Sequence, residues 1–269
     1  MSKYMVIGAH PDDCEAVAGI MLKLLDLGHS VKFLSATNGC SGHQTQMGGA
    51  LAVRRRAEAD KVAEIAGIEY DFLDIDDGFL TTDLPARKLM MRAIREYDPD
   101  VIITHRPQDY HPDHRNTGIL VQDCSFLVQV PNVCPLTPVM SRMPAIFYMQ
   151  DSFKKPYPFE PHLVFDIDST VERKMLLFHQ YASQMYEWLP WVAHDVDPDM
   201  PGADDDAGRL EWLKRTRMPQ YADDANEIRD KLVEKYGEHG REVRYAEALE
   251  MCEYGAQPDR GALEKLFPF

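Results

Sequence analysis

Through its first half the chain alternates short β-rich runs with longer amphipathic segments, a pattern that points to βαβ units and a mostly parallel sheet. YMVIGA (4–9), VKFLSAT (31–37), YDFLDI (70–75) and DVIITH (100–105) read as four strands. Between the first two, Val17, Ile20, Met21, Leu24 and Leu25 recur at helical spacing, and Gly28 stands where a C-terminal cap belongs. A second helix is expected over about 50–66, ending at Gly67. A third is capped by Asp83, with Pro85 in its first turn, where a missing N–H costs nothing. After a polar loop carrying HRPQDYHPDH, the apolar stretch from Ile119 to Val130 reads as the next helix.

AIFYMQ (145–150) and LVFDI (163–167) add two late strands, for which an antiparallel arrangement stays open. Ser169 and Glu172 have capping-box spacing before a helix running through Met185. Residues 195–208 hold six aspartates and no Lys or Arg, which suits an exposed, mobile insertion, and about 209–254 reads as helices. The expected organisation is an α/β core over 1–185, with the acidic insertion and a helical C-terminal extension, 186–269, packed on it.

A net charge of −15 repels phosphate backbones and anionic lipid, so nucleic-acid and membrane partners are not expected. The five cysteines are scattered and form no C-x-x-C pair, which argues against a disulfide framework or a thiolate metal site. The start, MSKYMVIGAHPDD, enters a strand and a motif without the features of a secretory signal, and a cytoplasmic protein is expected.

Two motifs lie at strand ends, where open α/β sheets bind ligands. His10-Pro11-Asp12-Asp13 follows the first strand and His111-Pro112-Asp113-His114 follows the fourth. Residues i and i+3 in a tight turn or first helical turn can project to one side, so His10 with Asp13, and His111 with His114, could each converge on a point. Two histidines and a carboxylate suit a catalytic zinc site with a fourth position for water, and the same donors leave Fe(II), Co(II) or Mn(II) open. Hydrolysis also needs a general base, for which Asp12 is well placed. It needs a group to stabilise the oxyanion and protonate the leaving amine, for which His111 is the candidate, with Asp113 to orient it.

AHPDD at 9–13 and HPDH at 111–114 together resemble the PIG-L/LmbE family of metal-dependent N-acetylglucosaminyl-type deacetylases. The similarity extends through TNG (37–39), Arg55 and Glu58, PDVIITHRP (99–107), and Lys174 with HQYASQ (179–184). The resemblance implies a Rossmann-like three-layer α/β fold, zinc held by His10, Asp13 and His114, Asp12 as general base, His111 supporting the oxyanion and leaving group, Asp113 modulating His111, and Arg55 contacting substrate hydroxyls. It implies a small N-acetylated substrate. It also keeps open a hydratase or a thiol-conjugate amidase on the same scaffold, and it leaves homo-oligomerisation undecided. Cys14 stands where the family commonly has Glu, and reads as a core thiol. His179, Trp188 and Trp191 stay open between packing and pocket.

Overall fold

The computed structural model describes all 269 residues. In chain order the elements are β1 (Lys3–Gly8), a 3-10 turn (Cys14–Val17), α1 (Ala18–Asp26), β2 (Ser30–Ser35), α2 (Gly48–Ala66), β3 (Glu69–Phe72), α3 (Leu84–Tyr97), β4 (Val101–Thr104), α4 (Pro112–Leu127), β5 (Ala145–Met149) and β6 (Leu163–Asp166). There follow α5 (Val171–His179), a π-helical turn (Ser183–Trp188), α6 (Leu189–Val192), α7 (Asp206–Glu227), α8 (Arg229–Tyr236), α9 (His239–Glu242), β7 (Ala246–Gly255) and α10 (Arg260–Leu266).

The strands form one sheet in the order β3-β2-β1-β4-β5-β7-β6. β3 to β5 are mutually parallel, and β7 runs antiparallel to both β5 and β6. Alternation along β1 sends Tyr4 and Val6 into a core with α1, α2, α5 and α7, and Met5 and Ile7 into a second core with α3 and α4. The result is a three-layer α/β fold. The strand order reverses between β1 and β4, so the loops after these two strands open the crevice in which such sheets bind ligands.

Three sequence expectations are corrected. The helix expected from Ile119 begins at Pro112: His111 is its N-cap, its ring accepting from the Asp113 N–H, and Pro112 occupies the first turn. HPDH is therefore a helix start, which fixes His114 relative to the sheet. The capping box at Ser169 does not form; Thr170 is the N-cap of α5, and that helix stops at His179 before the π-helical turn. The helical reading of 209–254 holds through Glu242, but Ala246–Gly255 is a strand between β5 and β6. Its sequence opens with good helix formers, AEALEM; two vacant sheet edges override that preference.

Residues 195–208 are largely exposed, as expected, and several of their acids have fixed partners. Asp197 accepts from the Trp212 indole N–H (2.7 Å), and Asp205 caps α7 through the Gly208 N–H (2.9 Å).

Candidate metal centre

The turn after β1 is closed by its own last residue. Asp13 Oδ2 accepts from the N–H groups of Ala9 (2.9 Å) and His10 (2.7 Å), while the Asp13 N–H donates to His10 O (3.2 Å). This turn forces Asp12 to φ +107°, a conformation costly for a residue with a Cβ. Gly8 is needed beneath it, since a Cβ there would stand 2.7 Å from the Asp13 Cβ.

Three donor atoms from the two motifs converge. His10 Nδ1 lies 3.4 Å from Asp13 Oδ2, His114 Nε2 lies 3.6 Å from the same oxygen, and the two nitrogens are 3.2 Å apart. The far side of each ring is held by a carboxylate: His10 Nε2 by Asp77 (3.1 Å) and Asp113 (3.3 Å), and His114 Nδ1 by Asp109 (3.0 Å). Such partners fix the ring orientation and keep the converging nitrogens free as donors.

Electrostatically the cluster calls for a cation. Burial opposes charge on His10, yet Asp113, Asp13 and Asp77 hold its pKa well above the usual imidazole value. Burial also opposes charge on Asp13, yet the neighbouring His114 and His105 hold it well below the usual carboxylate range. Donors separated by 3.2–3.6 Å match one face of a tetrahedron whose metal–ligand bonds are about 2.0–2.1 Å. The residues present therefore fit a divalent metal.

Around this triangle stand the other expected residues. Asp12 Oδ1 pairs with Arg55 Nη2 at 2.7 Å, and burial, opposed by Arg55, raises the Asp12 pKa to about 6. The His111 ring lies 4.6 Å from that of His10 and 5.1 Å from that of His114. Because His111 Nδ1 accepts from the Asp113 N–H, the proton of the neutral ring sits on Nε2. Burial, together with the charges of His10 and His114, lowers the His111 pKa and favours that neutral form. Two placements differ from expectation. The Asp113 carboxylate turns to His10 and the Gly78 N–H (2.7 Å) rather than to the His111 ring, and the buried Arg55 is engaged by Asp12 and Pro11 O.

Sequence reasoning missed His105, Asp77 and Asp109. His105 Nε2 is 3.1 Å from Asp13 Oδ2, and its ring stacks on His114 at 4.2 Å. Its place directly after β4, mirroring His10 after β1, was the available signal. Asp77 comes from the loop after β3 and carried none. Cys14 is a buried free thiol that donates to Val6 O, with its pKa pushed well up by burial, and His179 is taken up by Tyr186 and Asp206.

With this geometry in view, residues 5–125 match the family model described as PIG-L, GlcNAc-PI de-N-acetylase. This segment is similar to the PIG-L family. It holds every residue of the triangle and of its carboxylate surround. Over nearly its whole length the chain is similar to several solved structures. N,N'-diacetylchitobiose deacetylase from Pyrococcus horikoshii is 25% identical, with a TM-score of 0.67 over 93% of this chain and 84% of that one. The 4-carboxy-2-hydroxymuconate hydratase of Pseudomonas putida is 20% identical, with a TM-score of 0.70 over 96% and 99%. A zinc-inhibited form of teicoplanin deacetylase is 14% identical, with a TM-score of 0.54 over 94% and 99%. Beyond the matched segment, Met149 to Phe153 and α7 complete a cavity of about 570 Å³ over Asp12, Asp13, His105 and His114.

Proposed function

We propose that the protein is a zinc-dependent deacetylase that hydrolyses the N-acetyl group of an amino sugar or a related small conjugate, with the metal held by His10, Asp13 and His114. The observation that carries this reading is the triangle of donor atoms at 3.2–3.6 Å, opening on a cavity that also holds Asp12. When bound, the metal supplies an acidified water and a Lewis acid for the amide carbonyl.

The chain's own residues do the rest. Asp12, ionised above about pH 6 and held by Arg55, takes a proton from the attacking water. His111 directs its Nε2–H at the oxygen that becomes negative as the carbonyl carbon turns tetrahedral. Since His111 is kept neutral, the proton needed by the departing nitrogen is the one Asp12 has taken. Asp77, Asp113 and Asp109 hold the two ligand rings, and His105 steadies Asp13.

The test is release of free amine from a panel of N-acetylated sugars, glycosides and sugar–thiol conjugates by metal-loaded protein, with metal content measured beside it. Alanine at His10, Asp13 or His114 is expected to abolish stoichiometric metal, and alanine at His105 to weaken it. Full metal in all three ligand variants would overturn the ligand set. No amine from any member, with water added instead to an unsaturated dicarboxylic acid, would replace the deacetylase by a hydratase.

A further inference from the structure

The side chains of α7 that carry positive charge are nearly all spoken for. Arg209 donates to Pro201 O (3.2 Å), Lys214 pairs with Glu172 (3.1 Å) and Glu211 (2.9 Å), and Arg215 reaches Asp197 (3.7 Å). Arg217 is the exception. It lines the cavity above Asp12 and His114, its guanidinium 5.2 Å from the Phe178 ring centre, and none of its N–H groups meets an acceptor in the protein.

The other charges of the cavity nearest the metal centre are committed. Arg106 is tied to Asp151 (2.8 Å) and Glu250 (3.3 Å), Asp12 to Arg55, Asp109 to His114, and Glu247 to Lys174 (2.6 Å). Arg217 is thus the one uncommitted cation of this cavity. It shares the lining of this cavity with Asp12 and Asp13. Asp224, bound only by Gln150, and Glu227 lie about two and three turns further along α7, so they mark the opposite end of the cavity.

A half-buried guanidinium beside the Phe178 ring, in a cavity that Met185 and Leu189 also line, loses hydration without gaining a hydrogen-bond acceptor, and a ligand oxyanion would supply what is missing. We propose that Arg217 anchors an anionic substituent, carboxylate or phosphate, close to the scissile amide, so that the substrates are acidic N-acetyl amines. This rests on the deacetylase reading for the word amide, and on the cavity alone for the anion.

The experiment measures calorimetric affinities of metal-loaded protein for N-acetylglucosamine, N-acetylmuramic acid and N-acetylglucosamine 6-phosphate, with amine release followed in parallel. Wild type, Arg217→Gln and Arg217→Lys are compared at matched melting temperature. One charge-assisted contact predicts that an acidic sugar binds wild type about 10-fold tighter than the neutral one, that the ratio falls to about one in Arg217→Gln, and that Arg217→Lys retains part of it. The carboxylate and phosphate arms tell which anion fits. A wild-type ratio near one for both acids, or a ratio that survives Arg217→Gln, overturns the anchor. Acidic sugars held through Arg217 without amine release would sink the deacetylase reading and leave the anchor standing; deacetylation of the neutral sugar with no acidic preference would do the reverse.

Discussion

At the scale of single residues, backbone strain and a raised proton affinity coincide in Asp12. Its φ of +107° costs about 1–3 kcal/mol for a side chain of this kind, which the surrounding turn must offset. Asp12→Asn keeps the shape and loses the proton acceptor. Metal content is expected to be unchanged and kcat to fall about 100- to 10,000-fold, measured in single turnover on metal-replete protein. A near-normal rate would remove Asp12 as the base. Arg55 offers a sharper division between two roles. Bound to Asp12, it should act on chemistry, so Arg55→Met is expected to lower kcat with little change in KM. A rise in KM alone would instead return Arg55 to the substrate hydroxyls that the sequence resemblance suggested.

At the scale of elements, α5, the N-terminus of α1 and the C-terminal strand β7 are joined by one buried pair. Glu247 of β7 accepts from the Gly19 and Ile20 N–H groups (2.9 Å each) and from Lys174 of α5 (2.6 Å), with both side chains almost wholly enclosed. Removing one partner leaves a charge buried without compensation, so Glu247→Leu is expected to cost about 3–5 kcal/mol of stability. Adding Lys174→Met to it should recover much of that loss. Urea unfolding of the two single variants and the double checks this, and equal, additive losses would mean that the ion pair is not the coupling. HPDH belongs to the same scale. Its meaning as the first turn of α4 depends on Pro112 at the start of the helix and on His111 as its cap, both visible in the sequence once the helix is allowed to begin there.

For the whole molecule, two apolar cores on opposite faces of the sheet hold the fold independently of the metal cluster, which lies at the strand ends. Chelation is therefore expected to abolish activity while leaving the far-ultraviolet circular dichroism intact, and unfolding of the apo-protein under mild conditions would contradict this. Stability should also depend on pH through the cavity wall. Burial, opposed by Lys174, raises the folded-state pKa of Asp224 from 3.8 to about 6, so the folded protein binds the proton more tightly than the unfolded chain. The contribution of Asp224 is then fully present below about pH 4 and is lost as pH rises through about 6. Asp224→Asn should abolish that decline, seen as a stability gain over wild type that grows between pH 4 and 6; a constant difference would show that Asp224 does not titrate there. The βαβ order, the helix stops at Gly28 and Gly67, the cap at Asp83 and the two histidine motifs were legible in the chain, because hydrophobic period, glycine, proline and capping residues act over a few neighbours. Tertiary structure alone decided the rest. β7 is a strand because it fills the gap between β5 and β6. Asp109 and His105 meet the converging side chains of His114 and Asp13 because the strand order reverses at β1 and β4, and Asp77 reaches His10 from the loop after β3. Arg217 and Asp12 line one cavity because α7 packs back against the core of the sheet, a juxtaposition of residues some two hundred positions apart that no local pattern encodes.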